Sequence, residues 1–129
     1  MQARQMYARV GVEAGLDTLD ESRRATAAVL HALRDRLTAD EAAHAAAQLP
    51  RELKALWGSG HPPLSRPLKM HLREFLERVR LEGALASPRQ AEQVTDAVFA
   101  ALKDQLSGGE ADDIMAQLPR DLKRQWAHA

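Results

Sequence analysis

The residues that decide the fold are "AAQLPRELKALW", Ala46–Trp57, because they return as "MAQLPRDLKRQW", Met115–Trp126. Proline disfavours an α conformation at the residue before it, here Leu49 or Leu118, and pre-sets the first turn of a helix that follows. Leu53 and Trp57 are four apart, as are Leu122 and Trp126, so each pair shares one helical face. The repeated words spell a helix–proline–helix corner whose Leu and Trp turn to a core. The competing reading leaves a Trp exposed as an anchor for a partner.

Working outward, a shift of 69 positions aligns Met6–Trp57 with Phe75–Trp126 without a gap, and 21 of the 52 pairs are identical, so the chain reads as a tandem duplication. Between the copies, "GSGHPPLSRP", Gly58–Pro67, has the glycines and prolines of a linker. The expected organisation is a first helical repeat over 1–57, a linker over 58–67 and a second repeat over 68–129, together one compact domain. Thr18/Glu21, Thr38/Glu41, Ser87/Gln90 and Ser107/Glu110 have capping-box spacing, with the hydroxyl accepting from the third helical N–H and the acid or amide reaching back to the cap's own N–H. Those are two helix starts per copy, in register.

Between the starts the apolar spacing is helical. Thr26, Leu30, Leu33 and Leu37 make a long stripe answered by Thr95, Phe99, Leu102 and Leu106, and Ala42, Ala46 and Leu49 make a shorter one answered by Ala111, Met115 and Leu118. Met6, Val10 and Ala14, matched by Phe75, Val79 and Gly83, give each copy a leading helix, which Leu68 and Leu72 lengthen in the second. The fold class expected is all-α: three helices plus a short fourth, written twice, with the two copies packed about an approximate two-fold axis. A copy of about 60 residues is marginal alone and gains a shared core by pairing.

Composition agrees. The 129 residues are 45% hydrophobic and 28% charged but only 4% aromatic, which suits closely packed helices of Leu, Ala and Val. Eighteen basic and eighteen acidic residues cancel, so no global field recruits nucleic acid or anionic membrane. There is no cysteine, hence no disulfide frame and no thiol nucleophile. The first fifteen residues carry charges throughout and lack the apolar core of a signal peptide, and no apolar run is long enough to span a bilayer. A cytoplasmic protein is expected.

Motifs for chemistry are few. Glu41 and His44 form a Glu-x-x-His, a ligand spacing used by di-iron bundles, but the second copy offers Glu110 and Asp113, and Glu41 is expected to serve its capping box. No metal site and no cofactor are therefore expected. His31 is replaced by Ala100 in the other copy, and His61, His71 and His128 have no partner visible in the sequence. "SGGE" lacks the frame of a phosphate loop. Arg66, Lys69, His71, Arg73, Arg78 and Arg80 concentrate positive charge, yet Glu74, Glu77 and Glu82 interleave with them and suggest a solvated, ion-paired face.

The pattern "LRDRLTADEAAHAAAQLP" followed by a short Leu/Trp segment, with its second version "LKDQLSGGEADDIMAQLPRDLKRQW", resembles a bacterial family, Domain of Unknown Function 2267. The most specific words are "DEAAHAAAQLP" and "GEADDIMAQLP", and the likeness covers both copies. The resemblance implies a small, duplicated, all-helical protein and supplies no activity or catalytic residue.

The function expected is that of a non-enzymatic protein-interaction or regulatory helical module, a monomer or homodimer. Its candidate partner-binding residues are Arg51, Lys54, Arg120 and Lys123, the basic residues shared by the two corners and turned outward if Leu and Trp turn in. The alternatives are nucleic-acid binding through the Arg66–Arg80 face and, last, a metal-dependent enzyme around Glu41 and His44.

Overall fold

Capping hydroxyls set where four of the helices begin. The computed structural model describes residues 2–62 and 64–129; Met1 of the expected first repeat and Pro63 of the expected linker lie outside the described residues. Among the described residues there are eight helices and no strand: α1 (Ala3–Ala14), α2 (Leu19–Arg36), α3 (Ala39–Ala47), α4 (Arg51–Gly58), α5 (Leu72–Glu82), α6 (Pro88–Gln105), α7 (Gly108–Ala116) and α8 (Arg120–His128). Helices α2 and α6 are offset by 69 residues at both ends, and so are α3 and α7.

Thr18, Thr38, Ser87 and Ser107 each accept the N–H of the third helical residue, so all four starts fall where the sequence places them. The reciprocal half of the expected boxes is absent at each. Gln90, for example, accepts from the Ala86 N–H and donates to the carbonyl of Ala14. Back-bonds of that kind occur instead at α1, where Gln5 accepts from the N–H of Gln2, and at α5, where Glu74 accepts from the N–H of His71. The cap at His71 also corrects the expected length of α5. Leu68 lies outside the helix, half-exposed, and its N–H donates to the carbonyl of Asp35 at 2.7 Å.

The long stripes are buried as expected: Thr26, Leu30, Leu33 and Leu37 on α2, Thr95, Phe99, Leu102 and Leu106 on α6. Helix α1 packs against both α2 and α6, α5 packs against both α6 and α2, and the two long helices touch each other. Each leading helix therefore covers the long helix of the other half as well as its own. Both tryptophans turn inward, Trp57 at 4% and Trp126 at 2% exposure, which excludes the exposed-anchor reading. Trp126 meets Phe99 edge-on at 5.0 Å between ring centres, a favourable arrangement of ring quadrupoles. The carbonyls at the end of each corner helix are capped from the long helix: Arg34 donates to the carbonyls of Trp57 and Ser59, and Lys103 to those of Trp126 and Ala129.

The short stripes differ from expectation. On α3 the buried positions are Glu41, Ala45 and Leu49, while Ala42 and Ala46 are only partly buried; on α7 and its end they are Glu110, Ile114 and Leu118. The inward face of each short helix is rotated by one residue and carries a glutamate.

Candidate functional site at the α3–α7 junction

Helices α3 and α7 touch where the two halves meet. Gln48, just past α3, accepts from the Ser107 N–H at 2.8 Å and donates to its Oγ at 3.4 Å. Gln117, just past α7, accepts from the Thr38 N–H at 2.9 Å and donates to its Oγ1 at 3.2 Å. The bonds are reciprocal: the tail of each short helix caps the head of the other.

This exchange frees the glutamates. A capping box would use the Glu41 carboxylate on the N–H of Thr38, and that N–H is taken by Gln117. The expectation that the cap occupies Glu41 is thus corrected. The N–H of Ser107 is taken by Gln48, which releases Glu110 in the same way. Both side chains turn into the junction, where Glu41 is 8% and Glu110 6% exposed, and the Oε2 of each is buried without a hydrogen-bond partner among the described residues. Burial and the facing Glu41 carboxylate push the Glu110 carboxyl up to about 7, with Asp113 adding to the effect. His44, one turn beyond Glu41 and exposed, completes a cluster: one ligand atom from each of Glu41, His44 and Glu110 lie within 4.8 Å of one another. Sequence reasoning compared each copy with the motif separately, whereas the cluster draws two residues from one half and one from the other.

A second ionisable cluster lies at the end of α2. Asp35 is buried and accepts from Arg34 Nε at 3.1 Å and Arg78 Nη2 at 2.7 Å, with Nε2 of His61 at 2.8 Å from its Oδ2. Burial alone would raise its carboxyl, but the two guanidiniums overcome this and hold it below the usual carboxylate range. The expectation that His61 has no acidic partner is corrected: the chain folds back over α2 after α4 and brings a residue 26 positions away. His71 likewise lies 3.8 Å from Asp121. His31 binds through Nε2 to the carbonyl of Leu56 at 2.8 Å, an end-of-helix contact in the first half.

Of the basic stretch from Arg66 to Arg80, Arg78 is engaged by Asp35, and Arg80 is paired with Glu77 at 2.6 Å. Arg66, Lys69, His71 and Arg73 are exposed. Arg51 and Lys54 on α4, with Arg120 and Lys123 on α8, are all exposed, and none makes an ion pair among the described residues. No helix of the described residues is long and apolar enough to cross a membrane. A family model described as "Uncharacterized conserved protein (DUF2267)" matches residues 3–124. No curated protein matches the chain.

Proposed function

Because the chain belongs to the DUF2267 family, which brings no activity with it, we propose from its own residues that it is a non-enzymatic interaction or regulatory module for an acidic protein segment. The observation that carries this reading is the pair of matching basic spots, Arg51 with Lys54 and Arg120 with Lys123. All four are exposed and outside the internal ion pairs, on short helices whose Leu and Trp are committed to the core. Unneutralised charge on a rigid element steers an oppositely charged partner and fixes its register. In this reading the chain is a tandem duplication whose copies pack about an approximate two-fold axis. The 69-residue offsets and the reciprocal glutamine bonds support that symmetry, because an isologous contact pairs each residue with the counterpart of its partner. A bacterial cytoplasm is the proposed setting, and the absence of cysteine suits it.

The test is to replace all four residues by Glu and titrate wild type and variant with a fluorescent Asp/Glu-rich peptide. Binding by the wild type that weakens with salt, and its loss in a variant of unchanged melting temperature, is the expected result. Equal binding by the variant, or none by the wild type, would overturn the reading.

A further inference from the structure

We propose that the α3–α7 junction is a binding site for one first-row divalent metal ion, held by the carboxylates of Glu41 and Glu110 and the imidazole of His44. Two independent features meet there. The first is the ligand set: two carboxylate oxygens and one ring nitrogen within 4.8 Å of one another. The second is that both glutamates are more than nine-tenths buried as residues, and the Oε2 of each has no hydrogen-bond partner among the described residues. A buried carboxylate without a cation or hydrogen-bond donor is costly, and two side by side are more so.

The backbone N–H groups that a capping box would offer these carboxylates are used elsewhere. The N–H of Thr38 goes to Gln117 and that of Ser107 to Gln48, while the hydroxyls of Thr38 and Ser107 accept the N–H groups of Glu41 and Glu110. A single proton shared by the two carboxyls relieves half of the charge. A divalent cation neutralises all of it and takes one oxygen from each carboxylate.

The donor set selects the class of ion. One imidazole with two carboxylates suits zinc, manganese or ferrous iron, which take mixed nitrogen and oxygen ligands, better than calcium or magnesium, which prefer oxygen alone. Bonds of 2.0–2.2 Å in a tetrahedral site put ligand atoms about 3.4 Å apart, so the cluster closes by side-chain rotation of two glutamates and an exposed histidine. Three protein ligands leave one position for water. Glu41 and His44 come from the first half and Glu110 from the second, so the ion would bolt the halves together, and metal binding would stabilise the fold by mass action. The site rests on different residues from the basic spots of α4 and α8.

The experiment uses the full chain, stripped with a chelator, then titrated calorimetrically with zinc or manganese chloride while melting temperature is followed by circular dichroism. Wild type is expected to take up one equivalent and to melt higher as metal is added. Uptake should strengthen with rising pH, because metal ion and protons compete for the same ligand atoms. His44→Ala, at an exposed helical position, is expected to melt like the metal-free wild type and to bind about tenfold more weakly or worse. Glu110→Gln, which keeps the shape and supplies a donor to Glu41, is expected to fold without metal and to lose the metal-dependent rise. No uptake by the wild type would mean the pair holds only a proton, and unchanged uptake in both variants would place the ion elsewhere; either result overturns the proposal.

Discussion

The two buried carboxylate clusters solve the same physical problem in opposite ways. Asp35 carries its charge inside the protein because two guanidiniums surround it, one from its own helix and one from α5. Glu41 and Glu110 have no cation among the described residues and face each other across α3 and α7. The first arrangement is complete and joins α2, the returning linker and α5. The second is incomplete and sits where a ligand or proton can act on both halves. A fully paired buried group serves structure, and an unpaired one points to something the structure alone does not supply.

The largest expected effect is at the complete site. Asp35→Ala leaves the buried Arg34 without its anion and the part-buried Arg78 with Glu82 alone, and should destabilise by about 3 kcal/mol, read by urea denaturation. A loss below about 1 kcal/mol would mean the guanidiniums find water instead and would erase the contrast.

The incomplete site should respond with the other sign. Glu110→Gln should stabilise the metal-free protein above neutral pH by on the order of 1 kcal/mol, since it removes one of two facing charges. The pH dependences also oppose. The Glu110 carboxyl is raised in the fold from 4.5 to about 7, so the folded state binds the extra proton, and this contribution is lost as pH rises through that window. The Asp35 carboxyl is depressed, so its contribution is present at neutral pH and lost as pH falls below the ordinary carboxylate value. Melting curves of wild type, Glu110→Gln and Asp35→Asn across this range separate the two, and identical profiles would refute the assignment.

Smaller effects test what frees the glutamates. Gln117→Ala removes the acceptor for the Thr38 N–H and should cost about 1 kcal/mol by thermal melting. Glu41 then becomes available to make its own capping box, so the loss should be partly recovered as the metal site weakens. At the small end, Asp104 is the counterpart of Asp35 in the second half, but it is exposed and 3.6 Å from Arg9. Asp104→Ala should change stability by less than about 0.5 kcal/mol.

Much of the fold was legible because it rests on local signals. The prolines at 50 and 119, the hydroxyls at four helix starts and the Leu/Trp spacing each act within a few residues, and each had the consequence expected. The site was legible only in pieces. Glu-x-x-His is visible at Glu41 and His44, but the missing ligand lies 69 residues away and becomes a neighbour only when α3 and α7 meet. The capping-box reading also hid it, since a pattern that satisfies a local rule gave no sign that a glutamine from the other half would take the N–H. The face of the short helices was misplaced for a related reason: an apolar stripe through Ala42 and Ala46 looks better than one that begins with a charged residue, yet Glu41 is the residue that turns inward. Asp35 and His61 were invisible because a proline-containing connection brings them together with no periodicity to announce it.

The most direct measurement is a pH titration of the glutamate side-chain carboxyl signals by carbon-13 NMR on the metal-free full chain, with Glu41→Gln and Glu110→Gln used for assignment. The account predicts that the Glu110 carboxyl titrates near 7 and that Glu41→Gln lowers this step, because the facing carboxylate is one of its causes. A Glu110 carboxyl titrating near 4.5, unmoved by Glu41→Gln, would contradict it, because that carboxylate would then be solvated and would not face a second charge.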